Sequence, residues 1–395
     1  MSAPHGRVGP LVARDDGTPA LDVDALLRDR RIDIIVCCGS GGVGKTTTSA
    51  ALALRAAEQG RKVVVLTIDP ARRLAQSMGI ERLDNVPRPV PGVTGGNGGS
   101  LDAMMLDMKR TFDEVVESQA SPEKAAQILA NPFYVALSSS FAGTQEYMAM
   151  EKLGQLHADR SGGWDLIVVD TPPSRSALDF LDAPERLSSF LDGRFIRLLL
   201  APARGPARLM SAGLGVMTNA LTKVLGTQVL RDMQTFVAAF DTLFGGFRQR
   251  AQKTYRLLQA DGTAFLVVAS PEPDALREAA YFVERLNEER MPLSGLVVNR
   301  AGHAPGGRLS AERALAAAER LDEERAQGDG SDGPTAGLLR LHADRSRIVA
   351  RETRLRARFA TTHPDVPTAV VPALSTDVHD LDGLRTVGDL LSQRS

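Results

Sequence analysis

The sequence predicts an α/β fold: a mainly parallel sheet with flanking helices and an inserted all-helical lobe. Three observations carry this. Short β-branched apolar runs recur along the chain, long helical patterns separate most of them, and Arg186 to Arg250 contains no such run.

The runs IDIIVCC ending at Cys38, KVVVLTI ending at Ile68, WDLIVVD ending at Asp170, TAFLVVAS ending at Ser270 and SGLVVN ending at Asn299 are apolar on successive residues. A strand with that pattern is covered on both faces, as in a parallel sheet, so ligand chemistry belongs at the carboxyl ends of the strands. TTSAALALRAAEQG and EPDALREAAYFVERLNEER read as connecting helices. Leu101 to Met108 adds a strand, and Val366 to Val371 closes the sheet before a last helix near Leu381 to Leu391. The Gly/Pro-rich stretches Val86 to Ser100 and around Gly328 read as surface loops. Residues 1–30 are expected to form a partly disordered extension. Residues 31–395 form the main domain, with the helical lobe at about 184–255.

With 395 residues, a net charge of −1 and 24% charged residues, the chain has no electrostatic footprint for wrapping nucleic acid. The two cysteines, Cys37 and Cys38, are neighbours in a strand, where an unstrained disulfide does not close. That points to a reducing, cytoplasmic setting. The N-terminus has no signal-like apolar core, and the longest apolar stretch, Leu209 to Thr222, is too short to span a bilayer. Peripheral membrane contact stays open, because the lobe from Arg186 to Arg250 carries a local +6 and many Leu, Met and Phe residues.

Gly39-Ser40-Gly41-Gly42-Val43-Gly44-Lys45-Thr46 matches the phosphate-binding pattern GxxxxGK[ST], placed after a buried strand and before a helix. Glycines let backbone N–H groups converge on phosphate oxygens. Lys45 supplies a point charge, the Thr46 hydroxyl is a hard ligand for Mg²⁺, and the helix opening through Thr47 turns its positive end to the same place. The expected class is a P-loop NTPase that binds ATP and Mg²⁺.

Within the loop, GSGGVGKTTT resembles the deviant phosphate loop of the ArsA-type ATPases, the arsenite-pump and tail-anchored-protein-targeting proteins. In that family a second, signature lysine precedes the paired glycines and reaches the partner's nucleotide; here the position is Ser40. Asp69, in IDPARRL, matches the family's first switch, which implies that its carboxylate orients the attacking water, while Lys45 acts in catalysis as the charge on the β and γ phosphates. Asp170, in DTPPSRS, matches the second switch, which implies Mg²⁺ binding. Arg72 replaces a family histidine, and Arg175 and Ser176 replace Gly and His; either arginine is a candidate for the lost charge. Glu146 sits where the family places a glutamate near the nucleotide across a dimer. Asn299 and Pro372 fall where it contacts adenine.

No NKxD is present, so ATP is favoured over GTP. The resemblance is greatest to actinobacterial anion-transporting ATPase subunits that lack the signature lysine. It implies a homodimer, or a heterodimer with a lysine-bearing paralogue, whose helical lobe presents an apolar groove to a client; Phe195, Met210, Met217, Met233 and Phe240 are candidate groove residues. Core packing within the lobe is the competing account of the same residues. No thiolate cluster for arsenite and no CxxC for zinc is available. Two alternatives to an ATPase switch remain: a nucleotide-holding regulatory subunit, and a MinD-like positioning ATPase. The latter is disfavoured because GDLLSQRS ends the chain without a basic amphipathic helix.

Overall fold

The computed structural model describes residues 19–69, 73–93, 98–132, 134–135, 138, 144–159, 163–172, 246, 249–303, 309–326 and 333–393. The helical lobe expected near 184–255, with its candidate groove, lies almost wholly outside these residues, as do Arg72, Arg175 and the loop around Gly328.

The expected sheet is present. Its strands are β1 (Ile34–Cys38), β2 (Lys62–Thr67), β3 (Arg88–Pro89), β4 (Ser100–Met105), β5 (Leu166–Asp170), β6 (Thr263–Ala269), β7 (Leu293–Ala301) and β8 (Thr368–Pro372). They run in the order β3-β4-β2-β5-β1-β6-β7-β8, and every neighbouring pair except β3–β4 is parallel. β1, β5 and β6 are buried at every position, which is why their sequences show no alternation.

Each face of the sheet has its own core. On one side α1 (Val23–Arg28), α2 (Lys45–Glu58), α3 (Arg73–Ser77) and the C-terminal helix Leu381–Ser392 pack over Ile35, Val63, Val65 and Leu266. On the other side lie α4 (Met108–Gln119), α5 (Pro122–Leu129), α6 (Thr144–Ala158) and α7 (Pro273–Glu288), over Val36, Val64, Leu66 and Phe265. Helix α2 sits close to the sheet because Ala50, Ala51, Ala53, Ala56 and Ala57 are all buried. Its Arg55 pairs with Asp24 of α1 at 2.6 Å and Asp389 of the last helix at 2.8 Å, lacing three helices together.

Four features refine or add to the sequence expectation. Leu101 to Met108 is not one strand: Met105 ends it, and the Asp107 carboxylate accepts from Arg110 N at 2.9 Å to start α4. The loop Val86 to Ser100 contributes the antiparallel strand β3, where Pro89 is tolerated on a sheet edge. The last part of the predicted extension is built into the domain. Val23, Leu26 and Leu27 are buried, and Pro19–Leu21 exchanges backbone hydrogen bonds with Thr368 on the outer side of β8. Finally, a helical hairpin fills the stretch between β7 and β8: α8 (Ala311–Ala326) and α9 (Gly333–Thr362), joined through an apolar seam of Ala311, Ala314 and Ala343. Among the described residues no helix is long and apolar enough to cross a membrane.

Candidate nucleotide site

The central strand β1 delivers the chain into the loop at Gly39, and the loop works only with glycine at its bends. Gly39, Gly42 and Gly44 have φ of 148°, 79° and 93°, in the region costly to residues with a Cβ. Space forbids side chains as well: a Cβ on Gly39 would meet Val268 O at 2.1 Å, and one on Gly44 would meet Asn299 Nδ2 at 2.2 Å.

Side chains brace the loop from behind by taking its carbonyls. Lys45 Nζ donates to Ser40 O at 2.8 Å, Asn299 Nδ2 to Val43 O at 2.9 Å, and Arg300 Nη1 to Gly42 O at 3.1 Å. Arg300 has φ of 60°, and its N–H is held by Asn299 Oδ1 at 3.0 Å. With its carbonyls tied back, the loop leaves its N–H groups for an anion.

Beneath the loop, Asp170 ends β5 with no exposed surface. Its Oδ2 accepts from Thr46 Oγ1 at 2.8 Å and Thr67 Oγ1 at 2.9 Å, while Oδ1 is buried without a hydrogen-bond partner. Burial raises its carboxyl to about 6, against the pull of the two hydroxyls and the Lys45 ammonium. Burial likewise lowers the Lys45 ammonium, opposed by Asp170 and Asp69. Asp69, half-buried just past β2, donates its N–H to Thr67 Oγ1 at 3.2 Å, so Thr67 links both strand-end aspartates.

These groups open onto a cleft of about 610 Å³. Gly42, Gly44, Lys45, Thr46, Thr47, Asp69, Asn299 and Pro372 line it, so predicted residues from four distant parts of the chain converge. Ala373 N donates to Ala301 O at 2.8 Å and holds the segment after β8 over the opening. Ser40, Gly41 and Val43 face a second cavity of about 500 Å³, with Arg300 between the two. Glu146 lies in the first turn of α6.

Sequence reasoning missed Thr67, Arg73 and Arg300. Arg73 and Arg300 line the cleft, and Arg73 adjoins the predicted Arg72. Thr67 lies in the run KVVVLTI, Arg73 in IDPARRL and Arg300 just after SGLVVN, so each sat in or beside a quoted motif without being singled out.

Comparison with known proteins agrees with this geometry. The ATPase ASNA1 homolog of Cryptosporidium parvum is 28% identical over 261 residues, covering 66% of this chain and 63% of that protein. The ATPase get3 of Aspergillus terreus is 24% identical over 298 residues, covering 73% and 78%. The ATPase GET3C of Arabidopsis thaliana is 25% identical over 278 residues, covering 66% and 65%. The family profile described as anion-transporting ATPase matches residues 32–307, from the start of the sheet to just past Arg300. Since that match takes in well over half of the residues, this chain belongs to the ArsA ATPase family.

Proposed function

We infer that this chain is an ATP-driven switch that works as a dimer, in the cytoplasm, on an apolar or membrane-protein client. The nucleotide part rests on one observation: Lys45, Thr46 and Asp69 share a cleft behind which Asp170 is buried with one oxygen unsatisfied. The loop amides take the phosphate oxygens, and Lys45 exchanges its bond to Ser40 O for the terminal phosphates. Asp69 orients the attacking water on the γ-phosphorus as the bridging P–O bond breaks and ADP leaves. Asn299 and Pro372 border the adenine.

Mg²⁺ fits this donor set, because Thr46 and Asp170 bring hard oxygens together and Asp170 Oδ1 lacks a partner. Thr46 and Asp170 would hold it, and it would neutralise charge on the terminal phosphates.

The client and the dimer are carried by the family resemblance. Ser40 favours one refinement. It supplies no charge in trans, so turnover rises when the chain pairs with a lysine-bearing paralogue, and a chain alone holds nucleotide with slow hydrolysis. Arg73, which lines the cleft, is a further candidate for a cis substitute.

Titration calorimetry tests the binding: Mg·ATP binds wild type, and Lys45→Ala weakens it at least ~30-fold, the loss of one charge-assisted contact. Single-turnover hydrolysis tests the chemistry. Asp69→Asn should abolish it and leave affinity within a few fold; an unchanged rate would remove Asp69 from the reaction.

A further inference from the structure

The long helix α9 carries a seam that its own hairpin does not use. Leu338, Leu341, Arg345, Ile348, Glu352, Leu355 and Phe359 follow one another at alternating steps of three and four, the spacing of a coiled-coil seam. At the C-terminal end the seam is covered: Phe359 is buried and Leu355 packs on the core beneath the sheet. Towards the N-terminus it is bare. Leu338, Leu341 and Ile348 are 66%, 59% and 56% exposed. The hairpin partner α8 takes a different face, through Ala336, Leu339 and Ala343.

Charge decides what fits there. Over its length α9 has seven arginines against Asp344 and Glu352, a net +5, and Arg345 stands within the exposed seam. A second copy would set +5 against +5, and the basic Arg186 to Arg250 stretch of this chain is equally mismatched. A bilayer surface wants a broad apolar face, whereas this seam has two positions per heptad and a cation inside it. Burying such a cation in hydrocarbon is unfavourable.

We propose that Leu338, Leu341, Arg345 and Ile348 form a docking seam for an acidic amphipathic helix of a partner protein. The apolar residues take its a and d side chains, and Arg345 meets a carboxylate. The exposed part spans about 15 Å, so roughly two heptads of partner suffice. Glu352, next in the seam, accepts from Gly302 N at 2.6 Å, just beyond the Asn299–Arg300 brace, so the docked helix ends beside the phosphate loop.

The test uses the full-length protein and a fluorescent helical peptide about three heptads long, with Leu at a and d and Glu at e and g. Anisotropy should show saturable binding, weakened at least ~10-fold by Leu341→Asp with Ile348→Asp and by Arg345→Glu. A peptide with Lys in place of the glutamate opposite Arg345 should restore binding to Arg345→Glu. All three positions are exposed, so the variants retain the fold. The proposal is overturned if the peptide is ignored, or if vesicles with about 30% phosphatidylserine bind instead and lose binding in the same variants. It is equally overturned if sedimentation shows self-association that the Leu341→Asp, Ile348→Asp variant abolishes.

Discussion

Asp170 concentrates the physical chemistry of the site in one side chain. An aspartate closing an apolar run, together with the resemblance of DTPPSRS to the family's second switch, nominated it. Thr67 was not legible as its partner, because it meets Asp170 only through the parallel register of β2 and β5, while Thr46 reaches it from the start of α2. Arg300 escaped notice for the same reason: its left-handed backbone and its bond to Gly42 O depend on how β7 ends, which local pattern does not encode. The raised Asp170 carboxyl has a defined consequence. Its folded value, about 6, exceeds the ordinary 3.8, so the folded state takes up the proton first. The stability this gives is complete below the ordinary value and is lost as pH rises through about 6. Above that, the metal-free protein carries a buried charge costing on the order of 3 kcal/mol. Asp170→Asn should therefore raise the metal-free melting temperature by a few degrees at about pH 7.5, and the gain should fade towards about pH 4. A gain independent of pH would contradict this account.

Among the elements, the strands were legible because apolar runs bounded by Gly, Pro and Asp are local signals; the six-residue α1 was too short to show a period. What locks α1 and the neighbouring strands is Arg61, only 1% exposed. It donates to Asp165 Oδ1 at 2.9 Å, Leu27 O at 3.3 Å, Asp29 O at 3.2 Å and Ile32 O at 2.7 Å, and also to Asp165 O. One guanidinium thus satisfies carbonyls from α1, the entry to β1 and the entry to β5. Arg61→Met keeps much of the volume and strands those acceptors, and should cost about 3 kcal/mol in denaturant unfolding. The nucleotide site lies at the opposite ends of the strands, so affinity for Mg·ATP should change little at temperatures where the variant is folded.

At the scale of the molecule, the sequence foretold a phosphate loop between a buried strand and a helix, and the sheet order shows that strand to be a central one. The hairpin of α8 and α9 was not foreseen, since a mostly exposed helix rich in arginine gives a weak periodic signal. The margins of the sheet have a consequence for solubility. One outer strand is two residues long and ends in proline; the other, β8, has Pro19–Leu21 laid along it as a blocking strip. Among the described residues the strip pairs with Thr368 of β8, which shortens the ladder of amides that another chain could extend. Deleting residues 1–22 removes the strip and uncovers the backbone of Thr368. Such a truncation should form thioflavin-positive aggregates on mild heating while the intact chain stays clear, and equal clarity of the two would show that the strip guards nothing.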